Sequence, residues 1–340
     1  MRTPDEALAA WGDPGPVLDC ADAGLINRTW LVGEPTRAVL QWLNPIFSPL
    51  VNGEIGALTR RLAERGLLTP RLIPTALGWE WLTDDVGSWR LLSFVPGRTL
   101  HRATGLAQLE SAGRLVGRFH AALADWAHVR SAPRRDIHDT PRRMADLEAA
   151  FGGAEAHPLY AEARVLAEQV LGDWARWDGQ LDGPERICHG DLKLSNLRFD
   201  EAGHEAICLL DLDTVGPMAL SCELGDAWRS WCNPAGEDDP EAVTFSVEVF
   251  AASARGFLSA APPMSAGEKA SLIPGIERIC LELAGRFCAD AVRNTYFRED
   301  RGRFPAPGAH NLRRAQSQLA LARRARAARS ACEDVFATLP

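Results

Sequence analysis

An α+β fold with two unequal lobes, a small sheet-based lobe followed by a larger helical one, is predicted for this 340-residue chain by three observations. Short β-type runs occupy residues 28–95. Amphipathic helical patterns dominate from Gly105 onward, and one β island at residues 196–213 interrupts them. The N-terminal runs are RTWLV (28–32), RAVLQWL (37–43) and WRLLSFV (89–95), each broken off by turn signals. Between the second and third, NGEIGALTRRLAERG places Ile55, Leu58 and Leu62 on one helical face, and Gly66 can end that helix. The character changes after FVPGRT, so the boundary is drawn near Pro96 and Gly97, with lobes at 1–96 and 97–340. In the second lobe Leu115, Phe119 and Leu123 share a helical register, YAEARVLAEQVLGDWARW follows, and three long stretches continue to the C-terminus. The island runs from NLRF through DEAGHE to AICLLDLD, a hairpin pattern with Gly203 in its turn.

Composition narrows the classes of function. A hydrophobic share of 46% beside 24% charged residues is enough to build a core and excludes extensive disorder. The net charge of -8 offers no basic excess to displace counterions, so no nucleic-acid partner is expected. Eight scattered cysteines form no CxxC pair and no zinc-ligand spacing, which predicts reduced thiols and a cytoplasmic protein. The N-terminus has no apolar signal-like region, and no run reaches membrane-spanning length, so no membrane association is expected. A small-molecule substrate and a monomer or homodimer fit this profile.

The chemistry is expected in the island and the loop before it, CHGDLKLSNLRFD followed by LLDLDTVG. Asp191, then Asn196, then Asp211 at a strand end follow the order of the kinase pattern H-R-D-L-x-x-x-N plus a metal-binding Asp. Phosphoryl transfer needs a carboxylate that orients and deprotonates a hydroxyl, which assigns Asp191. It also needs hard oxygen ligands for Mg²⁺ on the nucleotide phosphates, which assigns Asn196 and Asp211. Lys193, one of only two lysines in the chain, can set positive charge beside the transferred group. His189 is read as a loop-fixing residue and not the base.

The same stretch resembles the aminoglycoside phosphotransferase and choline kinase superfamily, which carries HGD in this loop. GLINRTWLV, VLQWLNPIF, DIHDTPRR, ELGDAWR and NTYFRED with GAHNLRRAQSQLAL are similar to its N-acetylhexosamine 1-kinase branch, and together these matches extend over residues 24–322. The resemblance implies a bilobal protein-kinase-like fold, ATP and Mg²⁺ as cofactors, and a sugar hydroxyl, the anomeric one of a hexose or N-acetylhexosamine, as acceptor. It also implies nucleotide contacts at Gly24, Asn27, Thr29, Gln41 and Phe94, and a second acidic position at Asp213. His138, Asp226, Arg229 and Tyr296 are the acceptor-contact candidates, with Trp228 or Trp231 available for stacking. The alternatives are an aminoglycoside or amino-alcohol phosphotransferase, or a non-catalytic nucleotide- or sugar-binding relative.

One departure stands out. The N-terminal lobe contains no lysine, and Gln41 falls where a protein kinase carries its phosphate-holding lysine. Arg28, Arg37 and Arg61 are the candidate substitutes. Glu54, which would then lack a lysine partner, is expected to be a solvated helix carboxylate. His138 and Asp139 have a competing reading as a helix cap before TPRRMADLEAAF, and the arginine-rich C-terminal stretch is read as a packing helix with a solvated face.

Overall fold

The computed structural model describes residues 2–12, 14–19, 27–84, 87–127, 138–180 and 183–339. Its N-terminal part holds helix α1 (Pro4–Leu8) and strands β1 (Val17–Asp19), β2 (Arg28–Val32) and β3 (Ala38–Leu43). Helix α2 (Val51–Glu64) and strands β4 (Leu72–Ile73), β5 (Leu82–Asp84) and β6 (Gly87–Ser93) follow. All pairings in this sheet are antiparallel, in the order β1-β2-β3-β6-β4, with β5 also on β6. Val32, Ala38, Leu40, Trp89 and Leu91 alternate onto one face and pack with Ala7 and Leu8 of α1, and Trp30 stacks on Trp89 with 5.6 Å between rings. The predicted apolar face of α2 is real, but it turns away from this small core. Ile55, Leu58 and Leu62 join Leu115, Phe119 and Phe199, so burial of α2 fastens the sheet to the larger part of the molecule.

Strand β7 (Arg98–Thr99) leads into helices α3 (Leu106–Leu123), α4 (Thr140–Ala149) and α5 (Tyr160–Ala175). Four short strands come next: β8 (Glu185–Cys188), β9 (Leu197–Phe199), β10 (Ala206–Leu209) and β11 (Gly216–Ala219). Helices α6 (Leu220–Trp231), α7 (Val247–Leu258), α8 (Ala266–Arg293) and α9 (Ala309–Thr338) complete the fold. Glycines let two of these helices touch backbone to backbone. A Cβ on Gly113 of α3 would stand 2.0 Å from the carbonyl oxygen of Ser253 on α7. Asp139 caps α4 by accepting from the Arg142 N–H at 3.2 Å, as the capping reading expects. The basic C-terminal stretch is helix α9, whose Leu312, Leu319 and Leu321 are buried in a second core with α8 and α5.

The predicted β9–β10 hairpin is present and sits inside a second pairing that the sequence reading missed. Strands β8 and β11 pair antiparallel from Gly216 opposite Cys188 to Ala219 opposite Glu185. That closure brings the loop after β8 and the turn before β11 together at one end of the unit. Among the described residues no helix is long and apolar enough to cross a membrane. The seven described cysteines are buried free thiols, and Cys20 lies outside the described residues.

Candidate active site

Residues 189–192 cross between β8 and a single 3-10 turn at Leu194–Asn196, and α6 holds them from behind. The buried Glu223 carboxylate accepts from two consecutive backbone N–H groups, His189 at 2.7 Å and Gly190 at 2.8 Å. Asp226, one turn along α6, accepts from the Leu192 N–H at 2.8 Å. His189 is fully buried; its Nε2 is 2.7 Å from the Leu210 carbonyl oxygen, and its own carbonyl accepts from Thr214 Oγ1 at 2.7 Å. This matches the loop-fixing reading of His189 and leaves the partly exposed Asp191 side chain as the loop's outward carboxylate. Gly190 has a φ of +80°, and a Cβ there would lie 2.9 Å from Met218 Cε and 3.0 Å from the Thr214 carbonyl oxygen.

Asn196 links the two halves of the constellation. Its Nδ2 donates to the Asp191 carbonyl and to Asp191 Oδ2, both at 2.9 Å, and its own carbonyl accepts from the Leu210 N–H at 2.8 Å. With Nδ2 fixed on Asp191, Oδ1 is the amide atom left to face a cation. Asp211 follows Leu210 in a left-handed conformation (φ 56°, ψ 60°), which costs a non-glycine residue about 1 kcal/mol. Burial, with the neighbouring Asp213 and Asp191 charges, raises the Asp211 carboxyl to about 6. By accessible surface the Asp211 residue is nonetheless exposed to solvent. Lys193 Nζ stands 3.3 Å from Asp191 Oδ2. Burial alone would lower its pKa, yet the Asp191, Asp211 and Glu237 charges raise it, so it is cationic at neutral pH.

A sequence profile of the "Phosphotransferase enzyme family" matches residues 21–257, which include every residue of this loop and turn. The chain belongs to that family. It is therefore a phosphotransferase acting on small-molecule hydroxyl acceptors. Three solved structures share the fold. A microcompartment-associated aminopropanol kinase has 19% identity and a TM-score of 0.62, with 95% of this chain and 96% of that one covered. An amicoumacin kinase in complex with AMP-PNP and Ca²⁺ has 14% identity and a TM-score of 0.61 over 92% and 90% of the two chains. An aminoglycoside phosphotransferase from Alicyclobacillus acidocaldarius has 15% identity and a TM-score of 0.61 over 100% and 98%.

In this phosphotransferase none of the three predicted arginines stands in for the missing lysine. Arg28 and Arg37 are exposed, with Arg28 over the Trp42 ring at 5.6 Å, and Arg61 binds Asp125 and the Ala122 carbonyl. The buried cation beside Gln41 is Arg90, on β6 directly opposite Gln41 of β3. It is only 2% exposed. Its Nη1 and Nη2 meet Asp213 Oδ1 and Oδ2 at 2.6 and 2.9 Å, a bidentate pair. Its Nε and Nη2 also donate to Gln41 Oε1 at 2.9 and 2.7 Å, and Nη1 reaches Asn52 Oδ1 on α2 at 3.3 Å. Three of the predicted nucleotide residues belong to the same node: Asn27 Nδ2 donates to Asp213 Oδ2 at 2.6 Å, and Gln41 Nε2 donates to Thr29 Oγ1 at 3.2 Å. Arg90 thus joins β3, β6 and α2 to the turn that bears Asp211, and its polar hydrogens are already used within the protein. Glu54 is buried, contrary to the solvated reading.

The remaining predicted residues separate. Gly24 lies outside the described residues. Phe94 is half-buried where β6 leaves the sheet, with the Arg198 guanidinium 5.1 Å from its ring centre. Asp226 and Arg229 do not face an open acceptor space. Both are buried and bound to each other, Arg229 Nη2 donating to Asp226 Oδ1 at 2.8 Å; burial works against the Arg229 charge, but the Asp226 and Glu237 carboxylates outweigh it and raise its pKa. Trp228 and Trp231 are core residues, their indole N–H groups donating to Ser253 and to the Leu192 carbonyl. His138 does approach the loop, with Nε2 3.4 Å from the Gly190 carbonyl oxygen and Nδ1 2.9 Å from Glu282. Tyr296 is half exposed. Glu223, like Arg90, is a residue that sequence reasoning missed; its signal was the spacing to Asp226, which sets two carboxylates on one helical face.

Proposed function

We propose that this phosphotransferase moves the γ-phosphoryl group of ATP, with Mg²⁺, to a sugar hydroxyl, and that Asp191 orients and deprotonates that hydroxyl. The observation that carries this reading is the hydrogen-bonded link from Asp191 through Asn196 to the strand end that bears Asp211. The donor set suits a hard divalent cation. Asp191, Asp211 and Asp213 crowd together, Asp213 is neutralised by Arg90, and the charge that keeps the Asp211 proton bound up to about pH 6 is left for a metal to compensate. Asn196 Oδ1 and the Asp211 carboxylate would hold Mg²⁺, which shields the phosphate charge and makes ADP a better leaving group.

The protein's own part is positional. Asp191 accepts the hydroxyl proton as the acceptor oxygen bonds to the γ-phosphorus and the bond from that phosphorus to the β-phosphate bridging oxygen breaks. Lys193, held 3.3 Å from Asp191, sets a positive charge beside that carboxylate and lies where it can meet the transferring group. The Arg90 node fixes Asp213, and through it the turn that aims Asp211.

The sugar acceptor is supported by the similarity of DIHDTPRR, ELGDAWR and NTYF to the N-acetylhexosamine 1-kinase branch, with the anomeric hydroxyl of a hexose or N-acetylhexosamine as the nucleophile. The named activities of the solved neighbours, on an aminopropanol, amicoumacin and aminoglycosides, make amino-alcohol and antibiotic acceptors the competing reading. Coupled ADP release across GlcNAc, GalNAc, glucose, galactose, kanamycin and choline tests the choice. Turnover with a sugar and not with the amines supports the proposal; turnover confined to kanamycin or choline overturns the sugar assignment.

A further inference from the structure

Beside the catalytic loop, α4 and α8 gather a basic cluster that the transfer chemistry does not use. One face of α8 carries Arg278, Glu282 and Arg286 at four-residue steps. Glu282 is fully committed: Oε1 is 2.9 Å from His138 Nδ1, and Oε2 accepts from Thr140 Oγ1 at 2.6 Å. Arg278 turns to the same node, donating to Thr140 Oγ1 at 2.9 Å and to the His138 carbonyl at 3.0 Å. Arg286, the next step along, has no ion pair among the described residues. Its guanidinium lies 5.7 and 5.4 Å from the Tyr296 and Phe297 ring centres.

Arg143 faces this cluster from α4. Its one ion-pair partner among the described residues is Asp146, 3.5 Å away and 44% exposed, the committed Glu282 is the other carboxylate that acts on it, and its Nε is buried without an acceptor. The two helices touch here, since a Cβ on Gly285 would lie 3.7 Å from Met144 Cε, and burial with the Arg286 charge lowers the Arg143 pKa despite the opposing Glu282 and Asp146 charges. The His138 contact with Gly190 places the cluster next to the residue that precedes Asp191.

We propose that Arg143 and Arg286 form a subsite for an anionic group, a carboxylate or a phosphate ester, carried by the phosphoryl acceptor. The inference rests on the assignment of Asp191 as the group that receives the acceptor hydroxyl. Two half-buried guanidinium groups face one exposed carboxylate, Asp146, and Glu282, whose oxygens are already held by His138 and Thr140; this leaves positive potential where water screens it poorly, and planar N–H forks suit an oxyanion. The half-exposed Tyr296 ring supplies a wall for the apolar face of the same ligand. An acid sugar meets both demands, a hydroxyl for Asp191 and an oxyanion for the arginines. A polycationic acceptor would meet repulsion.

The test is calorimetric binding of glucuronate, glucose 6-phosphate and glucose to the full chain with Mg²⁺ and AMP-PNP present, so that phosphate cannot report the nucleotide site. At least one acid sugar should bind about tenfold or more tighter than glucose. That preference should vanish in an Arg143→Gln/Arg286→Gln variant that keeps its circular dichroism and its AMP-PNP affinity. Preference for glucuronate alone identifies a carboxylate ligand; preference for glucose 6-phosphate alone identifies a phosphate. Equal binding of all three, no binding of either acid, or a preference that survives the double substitution overturns the subsite. Asp191→Asn separates the two claims, because it should keep acid-sugar binding while losing transfer. Transfer that persists in that variant refutes the role of Asp191 without touching the arginines.

Discussion

Arg90→Met is the substitution that most sharply probes how the two parts of the molecule are joined. It conserves much of the side-chain volume but removes five described hydrogen bonds, two to Asp213, two to Gln41 and one to Asn52. The lasting damage is electrostatic, because Asp213 is 1% exposed and loses the guanidinium that neutralises it. Removing one partner of a buried ion pair costs about 3–5 kcal/mol, a large part of a total stability of about 5–15 kcal/mol. Asp213→Asn in the same chain removes the stranded charge, so the double variant should be more stable than the sum of the single losses implies, by about 1.5–3 kcal/mol. Urea unfolding followed by tryptophan fluorescence reads this directly, since Trp30 and Trp89 stack in the affected sheet. A loss below about 1 kcal/mol for Arg90→Met, or strict additivity of the two substitutions, would refute the coupling argued for this pair.

Three further outcomes follow from the loop and its neighbours. The Asp211 carboxyl titrates near 6 and must be ionised to bind a cation, so the half-saturating Mg²⁺ concentration should be flat above that pH and rise about tenfold per pH unit below it; a Mg²⁺ titration of activity checks this, and a pH-independent value contradicts it. Gly190→Ala forces a Cβ against Met218 and the Thr214 carbonyl at positive φ, so it should cost about 1–2 kcal/mol by thermal unfolding and lower kcat more than the KM for ATP. Glu223→Gln turns an amide N–H₂ toward one of two backbone N–H donors, and should destabilise the protein by about 2–3 kcal/mol while Glu223→Asp, with shortened reach, is partly tolerated.

Much of this arrangement was legible in the sequence because it depends on local spacing. Asp191, Asn196 and Asp211 lie within one short strand-turn-strand unit, so their order nearly dictates their convergence. The β-type runs 28–32, 37–43 and 89–95, found as strands 28–32, 38–43 and 87–93, and the apolar face of α2 were legible for the same reason. Arg90 was not, since its role depends on a cross-strand register with Gln41 and on a contact with Asp213 far along the chain. The available signal was a charged residue inside the apolar run WRLLSFV, on the face that alternation sets opposite Trp89 and Leu91. Asp226, Arg229, Trp228 and Trp231 have the chemistry to bind a sugar, but α6 packs on every side and turns that chemistry to holding the loop and filling the core. Composition and periodicity give polar character, not the direction in which a helix on all sides buried will spend it.

The central claim is tested most directly by ADP release from Mg²⁺–ATP with the acceptor panel, wild type beside Asp191→Asn, and with ³¹P NMR of the product. Acceptor-dependent turnover that yields a phosphate ester is expected, with a fall of about 10²–10⁴-fold in the variant, which still binds AMP-PNP. Undiminished turnover in Asp191→Asn, or a wild-type protein that binds no Mg²⁺–nucleotide, would contradict that claim.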